Sequence, residues 1–116
     1  MTESEARAAA DLGLQAQLLL DNPAYAEAWK RLRAYIVDQW SATNPGDVER
    51  AQLLHLQMKL VDRLQEFMTS MVKAGEMAQV DLDRIAQRLA QEQAMREAQT
   101  ENYLTRGISR LRRVVS

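Results

Sequence analysis

An all-α fold is predicted by three observations on this 116-residue sequence. Residues that favour helix, chiefly Ala, Leu, Gln, Glu and Arg, dominate the chain, which has only four Gly and two Pro. Apolar residues recur at steps of three and four over most of its length, and helix start signals precede these segments. The expected architecture is a long antiparallel helical hairpin, formed by residues 48–74 and 76–100, with one or two shorter N-terminal helices and a basic amphipathic C-terminal helix.

Two short N-terminal helices are indicated by their caps. Thr2 begins the pattern of a capping box and predicts a first helix over about residues 3–20. Asn22 followed by Pro23 is the start signal of a second helix, which should end near Ser41. Large apolar and aromatic residues of that helix fall within an arc of about 80°, namely Tyr25, Trp29, Leu32, Ile36 and Trp40. The second helix therefore has one strongly apolar face.

The third helix should follow a turn at residues 44–47 and carry two adjacent apolar seams. One seam comprises Leu53, Leu60, Leu64, Phe67 and Met71, and the other comprises Leu54, Met58, Val61, Met68 and Val72. Two seams indicate burial on a broad face, against two neighbouring helices or against one helix and another subunit. Gly75 is predicted to cap this helix and to begin the turn of the hairpin.

The remaining chain is predicted as a fourth helix and a basic tail. The apolar signal of the fourth helix weakens after Leu89, and Gly107 is the place where a bend would separate the tail. The tail has an apolar stripe opposite its arginines, formed by Leu104, Ile108, Leu111 and Val115. We therefore divide the chain into a helical domain over residues 1–102 and a basic tail helix over residues 103–116.

The charge distribution separates an acidic body from this basic tail. The net charge is −1 at pH 7. Four of the 15 basic residues lie in residues 103–116, which leaves 11 basic against 16 acidic side chains in residues 1–102. Such asymmetry indicates a partner-binding tail. The candidate contacts with phosphate or an acidic partner are Arg106, Arg110, Arg112 and Arg113; the alternative is ordinary packing of the tail on its own bundle or on a neighbouring copy.

The sequence offers little for catalysis, cofactors or metals. Without Cys, it has no disulfide, thiolate nucleophile or Cys-based zinc site. The single histidine, His55, has no nucleophile motif to serve, and Ser70–Lys73 matches S-x-x-K without its companion motifs. Acidic pairs such as Asp62 and Glu66 have basic residues at ion-pair spacing. We therefore expect no enzyme, no cofactor and no metal site.

Membrane contact is not expected either. No basic segment followed by an apolar run opens the chain, so a secretory signal is not expected. The longest uncharged stretch, residues 12–20, is far shorter than the roughly 20 residues of a membrane-spanning helix. Four tail arginines without Lys or Trp do not indicate binding to a membrane surface.

Interaction with other proteins is the function class that remains. A bundle of this size has little room for two Trp, and Trp and Tyr are enriched in interfaces. The candidate partner or oligomer surface comprises Tyr25, Trp29, Trp40, Leu54, Met58 and Met68. The alternative is that the aromatic stripe is core. Because small domains are marginal alone and the apolar surface is in surplus, we expect self-association.

A combination of caps, aromatic residues and leucines supports this interpretation. It consists of Asn22-Pro23-Ala24-Tyr25-x-Glu27-Ala28, then Trp40, then Asp47-x-x-Arg50, and a leucine-rich helix ending in Gly75-x-Met77-Ala78. Over roughly residues 12–80, the pattern resembles small helical proteins encoded in the head-and-packaging gene modules of tailed bacteriophages and prophages. The resemblance implies a non-enzymatic virion, assembly or packaging accessory, located in the host cytoplasm or in the virion. It implies no catalytic residue and does not extend beyond about residue 90.

Three hypotheses of function remain open. The first is a structural or assembly accessory, a helical homo-oligomer whose partners are its own copies and other phage or host proteins. The second is a DNA-packaging adaptor of the small-terminase kind, in which the arginine tail binds DNA because no helix-turn-helix with a positive recognition helix is evident. The third is a small viral inhibitor of a host defence protein, which the acidic body alone suggests.

Overall fold

The computed structural model describes the backbone of residues 1–115 and the side chains of residues 1–112. This part of the chain contains three helices and no strand: α1 (Glu3–Leu20), α2 (Pro23–Ser41) and α3 (Val48–Val115). The all-α class and the two shorter N-terminal helices are confirmed. The chain divides into two units, residues 1–79 and residues 80–116, whereas the division at residue 102 stays a prediction.

Helix α3 is much longer than predicted, because it continues through Gly75 and Gly107 to Val115. The predicted turn at Gly75 is wrong, so residues 48–74 and 76–100 belong to one helix. A glycine that caps a helix normally takes a positive φ, and neither Gly75 nor Gly107 does so. The neighbours of Gly75 are good helix formers, which offset the roughly 1 kcal/mol that a helical glycine costs.

Each helix begins where the sequence provides a cap. Thr2 Oγ1 accepts a hydrogen bond from the Glu5 N–H at 3.1 Å, and the Glu5 carboxylate accepts one from the Thr2 N–H. Asn22 Oδ1 accepts hydrogen bonds from the N–H groups of Ala24 and Tyr25 at 2.9 and 3.2 Å. At the start of α3, Asp47 Oδ1 accepts a hydrogen bond from the Arg50 N–H at 3.2 Å.

Replacing Asn22 with Ala is expected to lower the free energy of unfolding by about 1 kcal/mol, because two N–H groups at the start of α2 lose their acceptor. Urea unfolding followed by far-UV circular dichroism measures this loss. Asn44→Ala is the matched control. The backbone carbonyl of Asn44 accepts a hydrogen bond from the Asp47 N–H, and Ala has the same carbonyl. Equal stabilities of the two variants would contradict the capping role.

Within residues 1–79, α1 and α2 pack one after the other along α3 and run antiparallel to it. Three cross-helix pairs give the direction: Gly13–Gly75, Arg33–Asp62 and Trp40–His55. As the residue number rises along α1 and α2, the number of the partner on α3 falls. This unit is therefore a helical hairpin whose turn lies at residues 42–47 and whose first arm is interrupted at residues 21–22.

The interior of the hairpin is one line of side chains along each helix. The buried apolar residues of the unit are Ala6, Ala16, Ile36, Leu54, Met68 and Ala78. On α3, the seam that contains Leu54 and Met68 faces the other arm. Of the other predicted seam, Met71 is half-buried, while Leu53, Leu60, Leu64 and Phe67 are exposed. Each arm of the hairpin is one helix wide, so α3 can bury only the side that faces the other arm. That side holds only one of the two seams.

Candidate interaction surface

Gly13 and Gly75 bring the backbones of α1 and α3 into direct contact. A Cβ atom added to Gly13 would lie 2.7 Å from the Cα of Gly75 and 2.8 Å from the carbonyl oxygen of Met71. A Cβ atom on Gly75 would lie 2.8 Å from the Cα of Gly13. The other buried positions of α1, Ala6 and Ala16, are also small. Because α1 packs through small residues, its leucines remain outside this contact.

One broad side of the hairpin is polar, and we call it the polar face. Arg33 and Asp62 form an ion pair across α2 and α3 on this side, and both side chains are about half exposed. The groove around the pair is lined by Arg33, Asp62, Gln65, Glu66, Thr69, Ser70 and Lys73. Near the glycine contact, Leu14 and Glu76 line a second groove on the same side, whose lining is mostly apolar, so the polar face is the part around the Arg33–Asp62 pair.

The opposite side is apolar, and we call it the apolar face. Helical residues are about 100° apart, so Tyr35 and Leu53 lie about 100° from the buried Ile36 and Leu54, on the side away from the Arg33–Asp62 pair. On α1, Leu12 is displaced from Gly13 in the same sense. In an antiparallel pair, displacements in the same sense lie on one side. The apolar face comprises eight large side chains that are 42–69% exposed: Leu12, Leu19, Leu32, Tyr35, Leu53, Leu60, Leu64 and Phe67.

Uncharged residues occupy the positions between these eight side chains. Ala28 on α2, and Gln57 and Met71 on α3, share the stripes of the apolar face by helical spacing. Charged residues begin at its edges with Arg31 and Arg63, and each is paired along its own helix: Arg31 with Glu27 at 3.2 Å, and Arg63 with Glu66 of the polar face at 3.7 Å. The apolar face is therefore a continuous uncharged surface with ion-paired arginines at its edges.

The six residues predicted as a partner surface do not form one surface. Five of them are buried or half-buried: Tyr25, Trp29, Leu54, Met58 and Met68. The rings of Tyr25 and Trp29 stack with their centroids 6.1 Å apart. Among the described residues, the buried Nε1 of Trp29 has no hydrogen-bond partner. Trp40 alone is exposed, with its ring edge against His55 at 6.0 Å between centroids.

The apolar face was not identified from the sequence, although its main signal was visible there. Leu53, Leu60 and Phe67 repeat every seven residues in the first of the two predicted seams. Both seams are equally apolar, so periodicity alone does not tell which of them packs inside the protomer. That choice depends on where α1 and α2 lie, which is a matter of tertiary contact.

No catalytic constellation forms among the described side chains. His55 lies beside Trp40 in an apolar depression near the hairpin turn, lined also by Pro45, Val48 and Leu56. Ser70 and Lys73 lie on the polar face in an open groove. Within the described part of the chain, no group of three or more His, Cys, Asp or Glu residues is placed to hold a metal ion.

The predicted tail contacts lie on the C-terminal part of α3. Arg106, Arg110 and Arg112 are exposed, whereas the side chain of Arg113 lies outside the described residues, as does that of Val115. Leu104, Ile108 and Leu111 are exposed as well. In the unit that starts at residue 80, this segment thus offers both apolar and cationic side chains.

Comparisons with known proteins add no relative to this description. No protein family, no curated protein and no solved structure matches the chain. Over the described residues, no helix has a stretch that is both long and apolar enough to span a membrane. The features of the chain that bear on its function are therefore the apolar face and the arginine-bearing segment.

Proposed function

We propose that this protein is a non-enzymatic assembly protein of the kind found in phage head-and-packaging modules. It acts as a helical homo-oligomer that docks on virion or packaging components. The observation that carries the proposal is the apolar face, because contiguous apolar patches larger than a few hundred Å² on soluble proteins mark interaction sites. Eight large apolar side chains on one side of a hairpin exceed that size.

The shape of the grooves supports an interaction function over catalysis. The two grooves beside the Arg33–Asp62 pair and the glycine contact are open to solvent, and their polar groups line long walls rather than converging on one point, as the groups of ligand sites usually do. Assembly proteins need matching surfaces rather than reactive groups. The resemblance of residues 12–80 to phage accessory proteins supports the same class of function.

The arginine-bearing segment supplies the docking end of this proposal. Arg106, Arg110 and Arg112 are exposed beside Leu104 and Ile108. Arg pairs well with carboxylate and phosphate groups, and an amphipathic helix can fill an apolar groove of a partner. These same arginines favour the second candidate function, a DNA-packaging adaptor that contacts phosphates through this segment.

The solution mass of the full chain tests the proposed function. Size exclusion with light scattering, at several micromolar concentrations, is expected to show one discrete species of two or more subunits. A clean monomer over the whole range would contradict the homo-oligomer.

A matched pair of triple variants separates the assembly protein from the DNA adaptor. The test variant changes Arg106, Arg110 and Arg112 to Gln, and the control changes Arg84, Arg88 and Arg96, three exposed arginines of the same helix. Fluorescence anisotropy with duplex DNA is recorded at several salt concentrations. If the chain is a DNA adaptor, the wild type binds DNA, and the slope of affinity against salt concentration falls more in the test variant than in the control. If the chain is an assembly protein only, the wild type and both variants show no DNA binding.

A further inference from the structure

We infer that the apolar face is a two-fold interface through which two copies of the chain associate, so that two hairpins form a four-helix bundle. This inference rests on the proposed function, and it identifies the surface through which the chain self-associates. It differs from the surface expected from the sequence, since Leu54 and Met68 are interior. The face is formed wholly by residues 12–71, which belong to the hairpin unit.

The size of the apolar face matches what a stable dimer needs. A large apolar side chain has an area of roughly 200 Å². With the exposed fractions given above, the eight side chains offer roughly 800 Å² per copy, and a typical specific interface buries about 800 Å² on each partner. Because both copies present the same patch, one two-fold axis covers both at once and leaves none exposed.

The dimensions of the face also fit a second hairpin better than a single helix. The face is two helices wide, with Leu12 and Leu32 from one arm and Leu60 from the other. Its stripe on α3 extends from Leu53 to Met71, which is roughly 27 Å at about 1.5 Å per residue. An occupant that covers it must itself be a layer of two helices of that length, and a second copy supplies such a layer.

The spacing of the stripe on α3 is that of helices packed side by side. Leu53, Leu60 and Phe67 follow a repeat of seven, and Leu64 falls between them. A repeat of seven keeps an apolar seam against a neighbour crossing at about 20°, the geometry of four-helix bundles. Helix α3 therefore has one seam for its own hairpin and a second for the partner copy.

The charges around the face favour a like partner over nucleic acid. The face itself holds uncharged residues, so it offers no group that would bind phosphate. At its edges, Arg31 and Arg63 are each engaged in an ion pair along their own helix. A second copy presents an equally uncharged surface, whereas a strongly charged partner would have to desolvate its charges against apolar side chains.

Leu60→Glu is the direct test, and Leu18→Glu is its matched control. Leu60 lies in the centre of the apolar face and is 69% exposed, and Leu18 on α1 lies outside it and is 64% exposed. Light scattering and sedimentation at equal concentrations are expected to show a dimer for the wild type and for Leu18→Glu. Leu60→Glu should be monomeric, with association weakened at least about 100-fold, because its carboxylate would be buried unpaired.

A second pair of variants tests the same interface without adding a charge, in case glutamate disturbs the helices. Leu60→Ala and Leu18→Ala both raise the helix propensity, and far-UV circular dichroism checks that helicity is kept. Leu60→Ala is expected to weaken association about tenfold, because each copy loses the apolar contact of Leu60, and Leu18→Ala should have no effect.

The outcomes separate this inference from the proposed function. A wild type that is monomeric at all concentrations contradicts both. A wild-type oligomer that keeps its mass in Leu60→Glu and Leu60→Ala contradicts this inference alone and leaves the homo-oligomer in place. Loss of mass in Leu60→Glu and Leu18→Glu alike also overturns the two-fold apolar face, because the effect would then follow added charge rather than position.

Discussion

Replacing Leu54 with Ala is expected to lower the free energy of unfolding by about 2–5 kcal/mol, the usual cost of truncating a buried leucine. Leu54 is 5% exposed and lies on the seam of α3 that packs against the other arm of the hairpin. The opposite arm at this level is α2, whose buried residue Ile36 is 3% exposed. Truncation to Ala therefore removes apolar contact between the two arms and leaves a cavity at their interface.

Leu56→Ala is the matched control, since Leu56 lies on the same helix and is 55% exposed. Its truncation should cost less than about 1 kcal/mol. Urea unfolding at one fixed protomer concentration compares the two variants, because association makes the apparent stability depend on concentration. Equal losses in the two variants would show that the seam containing Leu54 is not the interior of the hairpin.

Gly75→Ala is expected to destabilise the hairpin by about 1–3 kcal/mol, the typical cost of overpacking a tight contact. On helix propensity alone, the same change would stabilise α3 by up to about 1 kcal/mol. The contact decides the sign, because the new Cβ would lie 2.8 Å from the Cα of Gly13 and 3.1 Å from the carbonyl oxygen of Ala9. Both are backbone atoms, so α1 must move away from α3 as a whole.

Gly107→Ala provides the control for this prediction. Gly107 is also a helical glycine of α3, and a Cβ atom there meets nothing within 4 Å. Its replacement should leave the stability unchanged or raise it by up to about 1 kcal/mol. Thermal and urea unfolding of both variants give the comparison. If Gly75→Ala were as stable as Gly107→Ala, the close approach of α1 to α3 would be refuted.

The packing of α1 explains why the apolar face exists. Close contact through Gly13 and Gly75 leaves no room between α1 and α3 for large side chains. Leu12 and Leu19 therefore remain on the outside of α1, next to the outer seam of α3. A surface of this kind is stabilised by a partner, which is why the proposed self-association and the small interior belong together.

The helices and their starts could be predicted from the sequence because they depend on local interactions. The caps at Thr2, Asn22 and Asp47 act over two or three residues, and the structure forms each of them. Helix propensity and the apolar repeat are likewise properties of single segments. The all-α class, the start of every helix and the end of α1 and α2 therefore followed from the chain itself.

Tertiary contact decided the rest. The sequence around Gly75 is compatible both with the end of a helix and with close contact to another helix. Gly75 makes the close contact because Gly13 lies opposite it. The two seams of α3 are alike in composition, so only the position of α1 and α2 determines that Leu54 is buried and Leu53 is exposed. The physical reason is that burial is a property of pairs of helices, whereas capping and propensity are properties of one.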